Sequence, residues 1–210
     1  MTTTNNKILK IYKSRITLTD QLESLQYDVS EYQQFSINEI DAMNNNSQLD
    51  MLVTNKTLGK TIYVKYNLTS KQLNAQTLDN IIEDLYTIDT VLTTNDTLMI
   101  INDIEPNDSI MTKIRYLYDH SGIFVVIHNI NRLQYNILNH TLVPKSKILA
   151  EKDIEEFKQK YNIMNLNQIP EISRFDPQAL AICLRPGDVC EYTRNSPTAM
   201  NAKYYRICIG

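Results

Sequence analysis

Two apolar runs, Thr97–Asn102 and Ile123–His128, with a helix-patterned stretch between them, constrain the fold of this chain more than any other feature. A strand wetted on one face alternates apolar and polar residues, so runs apolar through Leu98–Ile101 and Ile123–Ile127 predict strands covered on both faces. Between them lie a loop with Pro106 and a predicted helix over Ser109–Tyr118. Strand, helix and strand in that order predict an α/β layered unit.

The flanking residues extend that layering. Over Lys7–Tyr27, Ile8, Ile11, Tyr12, Ile16, Leu22 and Leu25 recur at three- and four-residue spacing, which predicts an amphipathic helix. A second helix is expected over Ser30–Met43, with Tyr32, Phe35, Ile37 and Ile40 apolar. Strands follow at Leu49–Thr54 and Thr61–Tyr66, joined by a loop around Gly59, and Thr77 is expected to cap a helix reaching Tyr86. Tyr135–Leu138 is expected to be the last strand of this N-terminal domain, 1–138.

The remainder, 139–210, reads as a small mixed α/β domain of its own. Its helix is predicted over Glu151–Tyr161, preceded by Ser146 or Ala150, with acidic residues early and basic ones late, as the helix dipole favours. Pro186-Gly187 predicts a turn, because proline fixes φ near −65° and glycine accepts positive φ. The runs Asp188–Arg194 and Lys203–Ile209, rich in Val, Tyr, Ile and Cys, predict half-buried strands around it. No run nears the ~18 apolar residues of a membrane span, and Met-Thr-Thr-Thr-Asn-Asn lacks a secretory pattern, so an intracellular protein is expected.

Charge and residue inventory exclude several functions. The formal charge of −3 argues against a chain whose main work is wrapping nucleic acid. The first 138 residues carry −5 and the rest +2, so the larger domain is the acidic one. Four isolated glycines form neither a phosphate-binding loop nor a dinucleotide fingerprint. His120, His128 and His140 fall on different predicted elements, with no metal-ligand spacing among them. Cys183, Cys190 and Cys208 form no CxxC pair and fit buried, reduced thiols. No metal, cofactor or catalytic group is expected. The nearest approach to catalysis is Asp50 followed by Tyr63-Val-Lys65, which imitates the Asp…acid-x-Lys layout of restriction-type nucleases. Tyr63 stands where the second carboxylate should be, and it cannot share a divalent ion.

The most specific motifs lie in the last third. They are His140-Thr-Leu-Val143-Pro144, Asp176-Pro177, Arg185-Pro-Gly187-Asp-Val, Arg194-x-Ser-x-Thr198-Ala and Tyr205-Arg206-Ile. In this order they resemble the assembly domain of the small subunit shared by eukaryotic RNA polymerases I, II and III. Archaeal members of that family resemble this last third alone. Upstream, Ile11-Tyr-Lys-Ser-Arg15-Ile-Thr17, Tyr27-Asp-Val29, Asp50-Met-Leu-Val53 and Leu98-Met-Ile-Ile101 are similar, more weakly, to the eukaryotic jaw domain, itself akin to that nuclease fold.

The resemblance implies a non-catalytic subunit of a DNA-dependent RNA polymerase, docked on the largest subunit through His140, Val143, Pro144, Arg185, Gly187, Arg194, Thr198, Tyr205 and Arg206. For the arginines, internal stapling of a small β-structure is the competing role, and for His140 a structural hydrogen bond competes with proton transfer. The jaw would lie beside downstream duplex DNA, with Pro106, Asn107, Ser109 and Lys113 as its DNA-facing residues. Against that stand Asp103, Glu105 and Asp108, each repelling a phosphate by about 1 kcal/mol at surface dielectric, and Ser109 is equally a helix cap. The family usually has Thr-Ala-Gly where this chain has Thr198-Ala-Met200; large DNA viruses of the cytoplasm encode members with Thr-Ala-Met. A cellular member implies the nucleus, a viral one the host cytoplasm and virion. A free-standing transcription adaptor and a metal-dependent nuclease using Asp50 are the alternatives.

Overall fold

The computed structural model describes residues 2–57, 59–68 and 73–210. The chain divides into two compact units, Met1–Asn136 and Ile137–Gly210, each with its own mixed sheet.

In the first unit, strands β1 (Met51–Asn55), β2 (Lys60–Asn67), β3 (Thr97–Asn102) and β4 (Phe124–Asn129) lie side by side in that order. β1 and β2 are antiparallel, and β2, β3 and β4 are mutually parallel neighbours. Every position of β3 and β4 is buried, as two-sided coverage requires. On one face Leu98, Ile100, Val125 and Ile127 pack with Leu78 and Ile81 of α3 (Ala75–Ile82) and with Ile110, Ile114 and Leu117 of α4 (Asp108–Ser121). α3 runs on into a wider π-helical turn, Glu83–Ile88. Helix α1 (Thr2–Ser24) buries Ile11, Leu18 and Leu22 and packs against the 3₁₀ segment Ile130–Gln134 and helix α2 (Ile37–Asn45). Arg15 Nη1 of α1 donates to the Leu49 carbonyl at 2.9 Å, fixing the helix to the entry of β1.

The second unit orders β5 (Lys145–Ile148), β7 (Val189–Ser196), β8 (Met200–Ile209) and β6 (Glu171–Ser173), with β5–β7 and β7–β8 antiparallel and β6–β8 parallel. Helix α5 (Glu151–Tyr161) supplies Phe157 to a core with Ile169, Val189, Tyr205 and Ile207. The other sheet face carries Cys190, Tyr192 and Cys208, all buried, and the short helix α6 (Pro177–Ala181) precedes β7.

Five local expectations need correction. The single helix over Ser30–Met43 is a 3₁₀ turn, Ser30–Tyr32, followed after a left-handed Gln34 (φ +67°) by helix α2, Ile37–Asn45. The break is the reciprocal capping box of Ser36 and Glu39, which starts a new helix where the apolar spacing alone suggested continuity. Tyr135–Leu138 is not a strand. The Asn129 side chain caps a 3₁₀ segment, Ile130–Gln134, and a second one, Ile137–Asn139, follows, so β-prone residues find no ladder partner there.

Thr77 and Ser109 cap nothing. Asn74 accepts from Thr77 N–H at 2.7 Å and Asn107 accepts from Ile110 N–H at 2.9 Å, so each helix begins just after an asparagine. Pro186-Gly187 does form a turn, but it feeds β7 from α6; residues 197–199 join β7 to β8.

Candidate docking surface of the C-terminal unit

The turn at 185–188 is closed twice. Asp188 N–H donates to the Arg185 carbonyl at 3.0 Å, and Arg185 N–H donates to the Asp188 carboxylate at 3.0 Å. Gly187, at φ +94°, occupies the position where a type II turn demands positive φ. Its N–H donates to the Cys208 carbonyl at 2.9 Å, anchoring the turn to the end of β8.

Alternation along β7 and β8 then sorts the side chains. Arg194, Tyr192, Tyr204 and Arg206 share one face of the hairpin, since Cys190 pairs with Arg206, Tyr192 with Tyr204 and Arg194 with Ala202. The Arg194 guanidinium sits 5.3 Å from the Tyr204 ring centre, and Tyr204 stacks on Tyr192 at 5.1 Å and 16°. Arg206 Nη1 donates to the Glu171 carbonyl at 2.8 Å, stapling β8 to β6. Both guanidinium-bearing residues are exposed. Stapling and an outward-facing charge therefore coexist in Arg206.

The opposite face carries Glu191, Lys203 and Tyr205. The Tyr205 hydroxyl donates to Glu191 at 3.0 Å, Lys203 pairs with the same carboxylate at 3.0 Å, and the Tyr205 ring lies 4.1 Å from that of Phe157. Tyr205 is thus a core residue with a polar tip. Burial raises the Glu191 carboxyl, but bonds from Lys203 and Tyr205 outweigh it and leave the pKa lowered. Burial first, then the Glu191 carboxylate, pushes the Tyr205 hydroxyl up.

His140 and Pro144 belong to one stitched corner. The His140 carbonyl accepts from Val143 N–H at 3.0 Å, and its ring Nδ1 accepts from Leu142 N–H at 3.2 Å, a structural use of the imidazole. The bend leaves Leu142 85% exposed, with Val143 and Pro144 half-buried beneath it. Gln178 Nε2 donates to the Pro144 carbonyl at 2.8 Å, and Asp176 caps α6 by accepting from Gln178 N–H at 2.9 Å. Two motifs 34 residues apart therefore meet through Gln178. Gln178, Glu191 and Tyr204 were absent from the residues expected from sequence, because their partners are cross-strand or distant. Thr198 stands in the hairpin turn with its hydroxyl 3.3 Å from that of Ser196, and Met200 opens β8 at φ +56°, 83% exposed. Burial pushes the Cys183 and Cys208 thiols up to about 12 and Cys190 to about 11, so all three stay protonated near neutrality.

The other candidate residues lie in the first unit. Both Asp50 carboxylate oxygens are engaged: one accepts from Tyr66 N–H at 2.9 Å, the other from the Tyr63 hydroxyl at 3.1 Å, with Lys65 Nζ at 3.7 Å. Burial, then Asp50, pushes the Tyr63 hydroxyl up to about 12. Asn107 spends its side-chain oxygen on the α4 cap, Ser109 donates to that same oxygen at 2.9 Å, and Lys113 pairs with Asp79 at 3.0 Å. Pro106 is half-buried beside them. Among the described residues, no three His, Cys, Asp or Glu side chains converge as metal ligands.

Comparison with known proteins bears on the second unit. Residues 135–208 match the family model described as RNA polymerase Rpb5, C-terminal domain. A protein of Thermococcus kodakarensis named DNA-directed RNA polymerase subunit Rpo5 is 43% identical over 76 residues, which span 36% of this chain and 92% of that relative.

The chain belongs to the RNA polymerase Rpb5 family.

Rpo5 proteins of Methanococcoides burtonii (39% identical over 77 residues, 37% of this chain and 97% of the relative) and Methanococcus maripaludis (40% over 73 residues, 35% and 92%) align with it likewise. The Rpb5-matched segment falls almost wholly within the unit Ile137–Gly210 and contains every residue of the turn and the stitched corner and nearly all of the hairpin.

Proposed function

We propose that this Rpb5-family chain is a non-catalytic subunit of a multisubunit DNA-dependent RNA polymerase, docked on the largest subunit through its C-terminal unit. One observation carries the reading: the Rpb5 family match, residues 135–208, falls almost wholly on one compact unit of this chain, Ile137–Gly210. Leu142, Arg194, Thr198 and Arg206 are all exposed on that unit. An exposed leucine and exposed guanidinium forks on one unit suit a protein interface, where arginine anchors are common.

The N-terminal α/β unit would then project as part of the jaw beside incoming duplex DNA. Its contact with DNA would be weak, because Asn107 and Lys113 already have internal partners. The subunit would work where its polymerase works: the nucleus for a cellular enzyme, the host cytoplasm and the virion for a viral one.

The test is co-purification of the full chain with the polymerase largest subunit from its native source. A stoichiometric complex is expected, and Arg194→Ala should weaken retention by about tenfold, the scale of one interface arginine. A chain that never accompanies the largest subunit would be a free-standing adaptor, and the proposal would be wrong.

A further inference from the structure

Outside the surface described above, the first unit holds a cationic side chain that its own fold leaves unbalanced. Arg15 is only 3% exposed, yet none of the ion pairs among the described residues involves it. Nη1 is committed to the Leu49 carbonyl, Nε is buried with no partner, and Nη2 makes no hydrogen bond to a described residue. The rings of Tyr32 and Phe35 lie 5.8 and 5.3 Å from the guanidinium carbon and supply a partial, cation–π compensation. A buried cation without a carboxylate is rare, because neither water nor a counter-charge replaces its lost hydration.

The arrangement is open on one side. Arg15 lines a cleft of about 210 Å³ between α1 and the segment that leads into α2. On α1 the wall is a single stripe, Tyr12, Arg15, Ile16 and Thr19, at i, i+3, i+4 and i+7. The opposite wall is Tyr32–Phe35, whose last three residues belong to no helix or strand. That wall holds two glutamine amides and a left-handed Gln34. The cleft is smaller than sites for drug-sized ligands, so it suits a group of a few atoms. The guanidinium keeps two uncommitted nitrogens, Nε and Nη2, and a carboxylate is its natural counter-charge; the flanking rings favour a planar group over a tetrahedral one.

We propose that the Arg15 cleft is a binding site for a single carboxylate, which pairs with the guanidinium between Tyr32 and Phe35. The carboxylate can be free in solution or an acidic side chain of a bound polypeptide; the chemistry is shared. Asp20, exposed and lining the same cleft, opposes any incoming anion and so limits the affinity. The site stands or falls independently of polymerase docking.

The test uses the full chain with ¹⁵N-labelled arginine, following the Arg15 Nε–Hε resonance, assigned through its bonds to the Arg15 backbone. Acetate and an N-acetylated, C-amidated Gly-Asp-Gly peptide are titrated against chloride at matched ionic strength, with inorganic phosphate in a parallel arm. A saturable shift with acetate or the peptide, and none with chloride, supports the site. A response to the peptide but not to acetate assigns the carboxylate to a polypeptide; a response to acetate alone assigns it to a small solute. Asp20→Asn, at an exposed position, should tighten the response severalfold without disturbing the fold. A phosphate response tighter than acetate overturns the carboxylate assignment. No saturable shift in the wild type or in Asp20→Asn overturns the site altogether, leaving Arg15 as a purely structural residue.

Discussion

Tyr205 and Glu191 face each other directly across the β7–β8 pair, and the tyrosine hydroxyl donates to the carboxylate at 3.0 Å while its ring packs on Phe157. The pair joins the apolar core of the second unit to a surface charge that Lys203 also holds. Tyr205→Phe should keep the ring packing and lose one charge-assisted bond, costing about 1 kcal/mol in urea denaturation. The pH dependence has a definite sign. Glu191 is held below its ordinary 4.5 in the folded chain, so its contribution is full above that value and fades as pH falls through the folded pKa. Wild type should therefore lose more stability than Tyr205→Phe between about pH 6 and pH 3. Equal acid slopes in the two proteins would show that the bond does not set the Glu191 pKa.

Both carboxylate oxygens of Asp50 are occupied, one by the Tyr63 hydroxyl and the other by Tyr66 N–H. Asp50→Ala strands a β2 backbone N–H and a phenol, so a loss of about 1–3 kcal/mol is expected in denaturation midpoints. Magnesium-dependent DNA cleavage should be absent before and after the change. Asp50→Asn removes the neighbouring charge, and the Tyr63 hydroxyl should fall from about 12 while staying above its ordinary 10, because burial is the larger cause. Its stabilising contribution is complete below pH 10 and lost as pH rises through about 12; ultraviolet difference titration follows both changes.

Met200 begins β8 at φ +56°, a backbone region that costs a side chain about 1–2 kcal/mol, and it packs against little, being 83% exposed. Met200→Gly should relieve that strain at some cost in unfolded-chain entropy, leaving a net gain of about 0.5 kcal/mol. Gly187→Ala, at φ +94°, should move the other way by about 1 kcal/mol although a methyl group there meets no atom within 4 Å. Opposite shifts in thermal midpoint check the pair; a destabilised Met200→Gly would mean that the exposed thioether matters to the hairpin.

Local signals were legible wherever one element owned them. The apolar run Thr97–Asn102 is β3 residue for residue, and Glu151–Tyr161 is α5 at both ends, because burial on both strand faces and dipole-matched charges are written within the element itself. The ordered motifs from His140 to Arg206 likewise carried the family resemblance without any coordinates. Other features stayed hidden because their causes are non-local. Apolar spacing ran a single helix through Ser30–Met43, since it does not register that Ser36 and Glu39 cap each other. Tyr135–Leu138 has strand composition but no neighbouring edge to pair with. Gln178 reaching Pro144, Tyr205 turning its hydroxyl to Glu191, and Arg15 buried without a carboxylate all depend on which distant residues the sheet registers and helix packing bring within a few ångströms. Periodicity along the chain specifies which face of an element is apolar; partners for its polar atoms exist only once separate segments have closed on one another.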